Sequence, residues 1–164
     1  MTADRVKKPV AFLAIALAGA VIDVVSKYLV FHCLNYSLHN PKTSTLIPAI
    51  LRFRCLENRG VVWGLFPEHS ILFLILSIIA VPIIVFLFFS IKKPNTLIIV
   101  SLGLILAGTL GNLYDRISFN AVRDFIDFYI IGWPVFNLAD TYISIGAVLL
   151  LISLWRKEEA SNVV

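Results

Sequence analysis

Four apolar runs dominate the pattern of hydrophobic and polar positions along the chain, at about 10–31, 71–91, 96–113 and 138–155. Each is close to the roughly 20 residues that cross about 30 Å of hydrocarbon as a helix. Backbone N–H and C=O groups in lipid must be satisfied within the segment, so the runs predict helices. Polar residues gather in the two longer connections, about 32–70 and 114–137. The first is too long for a simple turn, and loops of that length in compact proteins usually carry function. Part of it, Ile50-Leu51-Arg52-Phe53-Arg54-Cys55-Leu56, alternates apolar and polar positions and predicts a short strand. In the second, Gly132-Trp133-Pro134 marks a turn. Trp63, Phe66 and Trp133 fall near span ends, where an interfacial aromatic belt is expected. The predicted architecture is an α-helical integral membrane protein. It has four transmembrane helices and a small extracytoplasmic β-containing segment, with residues 1–164 as one membrane domain.

Composition strengthens this picture. Hydrophobic residues make up 59% and charged residues 15%, against about 45–50% and 25% in soluble domains. A disordered chain is excluded, and with two cysteines so is a disulfide-dense scaffold. The formal charge of +4 does not indicate a nucleic-acid partner, because the basic residues flank the apolar runs. Arg5, Lys7 and Lys8 precede the first run, Lys92 and Lys93 fill the turn after the second, and Arg156 and Lys157 follow the fourth. The positive-inside rule puts both termini and the Lys92-Lys93 turn in the cytoplasm and the two long connections outside. The first run is read as a retained span rather than a cleaved signal peptide, since Asp23 and Lys27 would spoil an h-region. For Cys33 and Cys55, both outside the membrane on this reading, a disulfide and two free thiols are equally open.

An aspartate near a helix centre costs on the order of 2.5–3.5 kcal/mol to insert, so each ionisable residue in or beside a span needs a reason. Asp23 and Lys27 are four apart in the first run and share a helix face. They read as an internal ion pair with a scaffolding role, or with Lys27 snorkelling to the outer interface. A denser group lies in Gly111-Asn112-Leu113-Tyr114-Asp115-Arg116, Val122-Arg123-Asp124-Phe125-Ile126-Asp127 and Phe136-Asn137-Leu138-Ala139-Asp140. Asp115-Arg116 alone suggests an interfacial ion pair, Asp127 a solvated loop acid, and Asn137 with Asp140 a helix cap and its N3 acid. Together they suggest more. Two carboxylates converging from different segments in a low-dielectric site share a proton and act as acid and base.

Other chemistries lack support. There is no Gly-x-Ser-x-Gly, and His32, His39 and His69 lack metal-ligand spacing. The glycines at 103, 108 and 111 are explained by close helix packing. A proton- or ion-coupled transporter predicts midplane acids and an internal repeat, whereas these acids lie at span ends. A metal-dependent head-group transferase predicts carboxylates on the cytoplasmic side.

Four stretches, taken together, resemble the lipoprotein signal peptidases (signal peptidase II), four-span aspartic proteases of the bacterial inner membrane. They are Asp23-Val24-Val25-Ser26-Lys27, Asn58-Arg59-Gly60-Val61-Val62-Trp63-Gly64, the Gly111–Arg116 stretch with Val122-Arg123-Asp124-Phe125, and Phe136-Asn137-Leu138-Ala139-Asp140. The resemblance implies that Asp124 and Asp140 are a catalytic dyad. It implies that Asn58, Gly60, Asn112, Arg116, Asn137, Asp23 and Lys27 bind substrate or support the site. It calls for no metal and no cofactor. The implied substrate is a diacylglyceryl-modified prolipoprotein, cut before its lipidated cysteine at the outer face of the membrane by a monomer in contact with lipid. The segment 32–70 would then cradle the substrate's lipid and signal peptide. Two departures stand out. Val61-Val62-Trp63 replaces the small and aromatic residues usual in the family, and Arg123 stands where an apolar or small residue is common, beside Asp124.

Overall fold

A computed structural model of the protein describes residues 3–37, 43–60 and 70–162, with side chains at 7–37, 43–60 and 71–156. In chain order the elements are α1 (Ala3–Cys33), β1 (Thr43–Ile47), β2 (Leu51–Asn58), α2 (Ser70–Ser90), α3 (Thr96–Phe119), β3 (Val122–Asp127) and α4 (Leu138–Asn162). The four helices are long and apolar enough to cross a membrane. Trp63 and Phe66, with Val61, Val62, Gly64, His39 and His69, lie outside the described residues.

The helix in the middle of the bundle is α3, which packs against α1, α2 and α4. Phe12, Ala16, Ile84, Phe88, Ile98, Leu102 and Leu106 form a buried apolar cluster there. Within it the rings of Phe12 and Phe88 stack with centroids 4.0 Å apart. Small residues let the backbones close up. A methyl group at Gly108 would run into the Ala139 carbonyl, and one at Gly111 into the Asp23 carboxylate. Outward positions such as Leu17, Val21, Ile71, Phe86, Leu151 and Trp155 are exposed, which is the surface a bundle offers to lipid rather than water. At one end, Lys8 Nζ donates to the Pro94 carbonyl at 3.0 Å, drawing the start of α1 to the Lys92-Lys93 turn.

The third helix continues to Phe119 rather than ending near residue 113. It stops where Asn120 adopts a left-handed conformation (φ 53°) and returns its N–H to the Arg116 carbonyl. Hydropathy falls at Asn112, Asp115 and Arg116, and that decline looks like an exit from the membrane. It marks instead the polar inner face of a helix that goes on.

Beyond the bundle end lies an antiparallel sheet in the order β1-β2-β3. The strand expected from the alternation at 50–56 is β2. The stretch carrying Asp124 and Asp127, which the sequence presents as loop, is the strand β3, paired with β2 through Leu56↔Asp124 and Asn58↔Val122. Phe136 bridges to Ile126, with its carbonyl accepting from Ile126 N at 2.8 Å and its N–H donating back at 3.0 Å. That bridge lays the residues just before α4 alongside β3. Cys33 is exposed, Cys55 is buried, and both are free thiols.

Candidate active site

The bridge at Phe136 decides which side chains meet, because it brings the N-terminus of α4 beside the strand holding Asp124. Asp124 and Asp140 line one cavity of about 320 Å³, together with Asn58, Gly60, Asn112 and Arg116. Its other wall is apolar, from Phe73, Leu76 and Ala80 on α2 and Val135 and Ile143 near α4.

Each carboxylate is held by amides. Asp124 Oδ1 accepts from Asn137 Nδ2 at 2.6 Å and Oδ2 from Asn58 Nδ2 at 3.0 Å. Asn58 is itself fixed by accepting the Gly60 N–H at 3.0 Å. Asp140 Oδ1 accepts from Asn112 Nδ2 at 2.9 Å. Its Oδ2 accepts from the Asn137 N–H at 3.3 Å, while Asn137 Oδ1 takes the Asp140 N–H at 3.0 Å. Residues 137 and 140 therefore form a reciprocal capping box, and the Asn137 amide nitrogen is still free to reach Asp124. The capping reading and the site reading hold together in the same side chains. Asp124 is 1% exposed. Burial is the main cause holding its carboxyl up, to about 7, and the charge of Asp140 acts in the same direction. The Asn58 and Asn137 amides and Lys27 pull it back, since they favour the carboxylate.

Beneath the cavity runs a charge network. Lys27 is fully buried and does not snorkel. Its Nζ lies 2.7 Å from Asp23 Oδ2 and 3.3 Å from Asp115 Oδ2, and donates to Asn112 Oδ1 at 2.9 Å. Asp23 Oδ1 accepts the Ala139 N–H at 2.8 Å. Asp115 accepts the Arg123 N–H at 2.9 Å and its guanidinium at 2.7 Å. Two carboxylates and two cations thus offset one another in the interior. Removing one member would leave a bare buried charge, a loss of about 3–5 kcal/mol.

Several sequence expectations change. Asp115 pairs with Arg123 and Lys27, not with Arg116, because adjacent helical residues do not face each other. Arg116 instead reaches Ser77 Oγ and the Asn112 carbonyl, each at 3.4 Å, and lies over the Phe73 ring. Asp127 is not a solvated loop acid. It is 3% exposed and accepts from Arg52 Nε at 2.7 Å. Arg123 is directed at Asp115 and the Phe119 ring, 4.2 Å from its centroid. On a strand its side chain points opposite to that of its neighbour Asp124.

Asp115 and Arg123 are the members that sequence reasoning left out of the site. The available signal was the three-residue spacing of Asn112 and Asp115, which places them on one helix face. Asp23 and Lys27 lie behind the cavity and do not line it.

The fold has structural counterparts. A bacterial membrane enzyme determined by the in meso method at 2.3 Å resolution is similar with a TM-score of 0.79. Identity there is 31%, over 90% of this chain and 88% of that one. A second bacterial membrane enzyme, determined at 1.9 Å, gives a TM-score of 0.74 at 32% identity, covering 87% and 91%. The class is thus a multi-pass membrane enzyme. Residues 15–156 match the family described as signal peptidase (SPase) II. The chain is 33% identical to the lipoprotein signal peptidase of Halothermothrix orenii over 90% of its length and 97% of the relative. It is 35% identical to that of Lactobacillus gasseri over 90% and 93%. The chain belongs to the signal peptidase II family.

Proposed function

We propose that this membrane peptidase removes the signal peptide of a diacylglyceryl-modified prolipoprotein, cutting before the lipidated cysteine with water activated between Asp124 and Asp140. The observation that carries the reading is the convergence of these two carboxylates on one cavity from a strand and a helix start. That cavity has a polar wall for the chemistry and an apolar wall suited to a signal helix.

In the mechanism, ionised Asp140 takes a proton from water as the oxygen attacks the scissile carbonyl carbon. Protonated Asp124 donates to the carbonyl oxygen, giving a neutral gem-diol. Collapse returns a hydroxyl proton to Asp124 while Asp140 gives its proton to the departing nitrogen and the C–N bond breaks. The raised Asp124 carboxyl supports its role as proton holder. The position of Asp140 in the first turn of α4 favours an anion there. Half-buried Arg116 lines the cavity, where its guanidinium can meet a substrate oxygen.

The protein is a multi-pass inner-membrane protein. On this reading its Lys8, Lys92 and Lys93 end is cytoplasmic and the sheet and dyad face outward, where a lipid-tethered substrate presents its cleavage bond. One chain carries the whole proposed site and acts as a monomer amid membrane lipid.

The test is cleavage of a diacylglyceryl-modified prolipoprotein by purified protein in lipid or detergent, with EDTA present throughout. Cleavage by wild type and its loss in folded Asp124→Asn and Asp140→Asn is expected. Robust cleavage by either variant would overturn the dyad.

A further inference from the structure

Each proposed dyad aspartate follows a residue whose backbone N–H is held by a buried carboxylate. Ala139, before Asp140, donates to Asp23 Oδ1 at 2.8 Å. Arg123, before Asp124, donates to Asp115 Oδ2 at 2.9 Å. One ammonium joins the two anchors, since Lys27 Nζ is 2.7 Å from Asp23 and 3.3 Å from Asp115. Only three side chains therefore separate the backbone on which one aspartate stands from the backbone on which the other stands.

Charge neutralisation alone does not account for this geometry. Asp23 with Lys27 would form a neutral i,i+4 pair, and Asp115 with Arg123 is already a neutral pair. The additional contact from Lys27 to Asp115, and its hydrogen bond to Asn112 Oδ1 at 2.9 Å, tie α1 to α3. Through the two carboxylates they also tie α1 to β3 and to the start of α4. We propose that Lys27 is a positioning residue, setting the separation of Asp124 and Asp140 by bridging the carboxylates that anchor them. The inference rests on the dyad reading. Water has to bond to both carboxylates at once, so a slip of one anchor by about 1 Å lowers turnover by about 10²-fold.

Two double variants isolate positioning from charge and stability. Asp23→Leu/Lys27→Met removes the ion pair together with the acceptor for Ala139 N–H. Asp23→Asn/Lys27→Met removes the same charges but keeps an acceptor oxygen. Both are compared per folded molecule on the lipidated substrate. Both proteins lack the Lys27 bridge, so both are expected to lose about 100-fold in kcat with KM within about threefold of wild type, the Leu/Met protein at least as much as the Asn/Met protein. A kcat within about threefold of wild type in the folded Asn/Met protein, which keeps the Ala139 acceptor but not the bridge, overturns the inference. Should the Leu/Met protein not accumulate, Asp23→Asn alone decides. It keeps the Ala139 acceptor but weakens the bridge, so a kcat at least about fivefold down at unchanged KM is expected, and a wild-type kcat overturns the inference. Asp124→Asn and Asp140→Asn are assayed alongside. If they cleave, the dyad reading falls and the inference with it. If they are dead while the bridge variants turn over as wild type, the inference alone falls.

Discussion

The Asn112 amide donates to Asp140 Oδ1 at 2.9 Å in an orientation that Lys27 dictates. A lysine ammonium has only donors, so the Asn112 carbonyl oxygen must face Nζ, 2.9 Å away, and the NH₂ group must face Asp140. One side chain thereby converts a buried positive charge into a fixed hydrogen-bond donor at the proposed catalytic carboxylate.

Asn112→Leu keeps the branched shape of the side chain and lacks both functions. Its expected effect is a loss of about 10- to 100-fold in kcat with little change in KM, because Asp140 loses its aligned donor while the substrate walls stay in place. Steady-state kinetics on the lipidated substrate check this. A loss confined to KM would assign Asn112 to substrate binding instead.

The pH profile follows from Asp124, the proposed proton donor. Its carboxyl is held up to about 7, first by burial and then by the Asp140 charge. Raising pH through that value removes the proton the mechanism uses, so kcat/KM is expected to fall on the alkaline side from about pH 7. The Asn58 amide favours the carboxylate form. Asn58→Ala therefore moves the alkaline limb upward. Stability follows the same linkage. Between the ordinary carboxylate range and about 7 the unfolded chain is ionised while folded Asp124 keeps its proton, so folding weakens as pH rises through that window. Asp124→Asn should flatten this part of a thermal-unfolding profile measured in detergent.

Gly108 and Gly132 should respond differently to alanine. At Gly108 a methyl group would run into the Ala139 carbonyl and meet Ile143 Cγ1 at 2.7 Å, so α3 and α4 must part. Overpacking of this kind costs about 1–3 kcal/mol, and it displaces the helix start that bears Asp140. At Gly132 nothing among the described residues lies within 4 Å of an added methyl, and only the positive φ of 63° is strained, a penalty of roughly 1–2 kcal/mol. Thermal unfolding and cleavage rates separate the two. Gly108→Ala is expected to lose activity as well as stability, and Gly132→Ala stability alone.

Much of this was legible in the order of residues. Four apolar runs require four helices because lipid offers no partner to backbone polar groups, and that constraint is local to each segment. The alternation at 50–56 marked β2, and the spacing of Asn137 and Asp140 marked a helix cap, again through contacts within a few residues. The resemblance to the family put Asp124 and Asp140 forward as a dyad from different elements, and both carboxylates line one cavity, which is the basis of the proposal.

What the order of residues left open depended on long-range contacts. Hydropathy averages around a helix, so it registered Asn112, Asp115 and Arg116 as an exit from the membrane when they are the inner face of α3. The residues 122–127 show no clean alternation, because β3 is buried on both faces, and its partner β2 is distant in sequence. Lys27 was expected either to pair locally or to snorkel. Only the packing of α1 against α3 showed that two more polar groups await it, and a buried ammonium has no water to turn to. Arg123, beside Asp124 in the chain, is directed away from it to Asp115, since neighbours on a strand face opposite sides. Local chemistry thus specified the elements and their caps. The folded chain alone decided which charges meet, because burial removes the solvent alternative and compels each charge to find a partner.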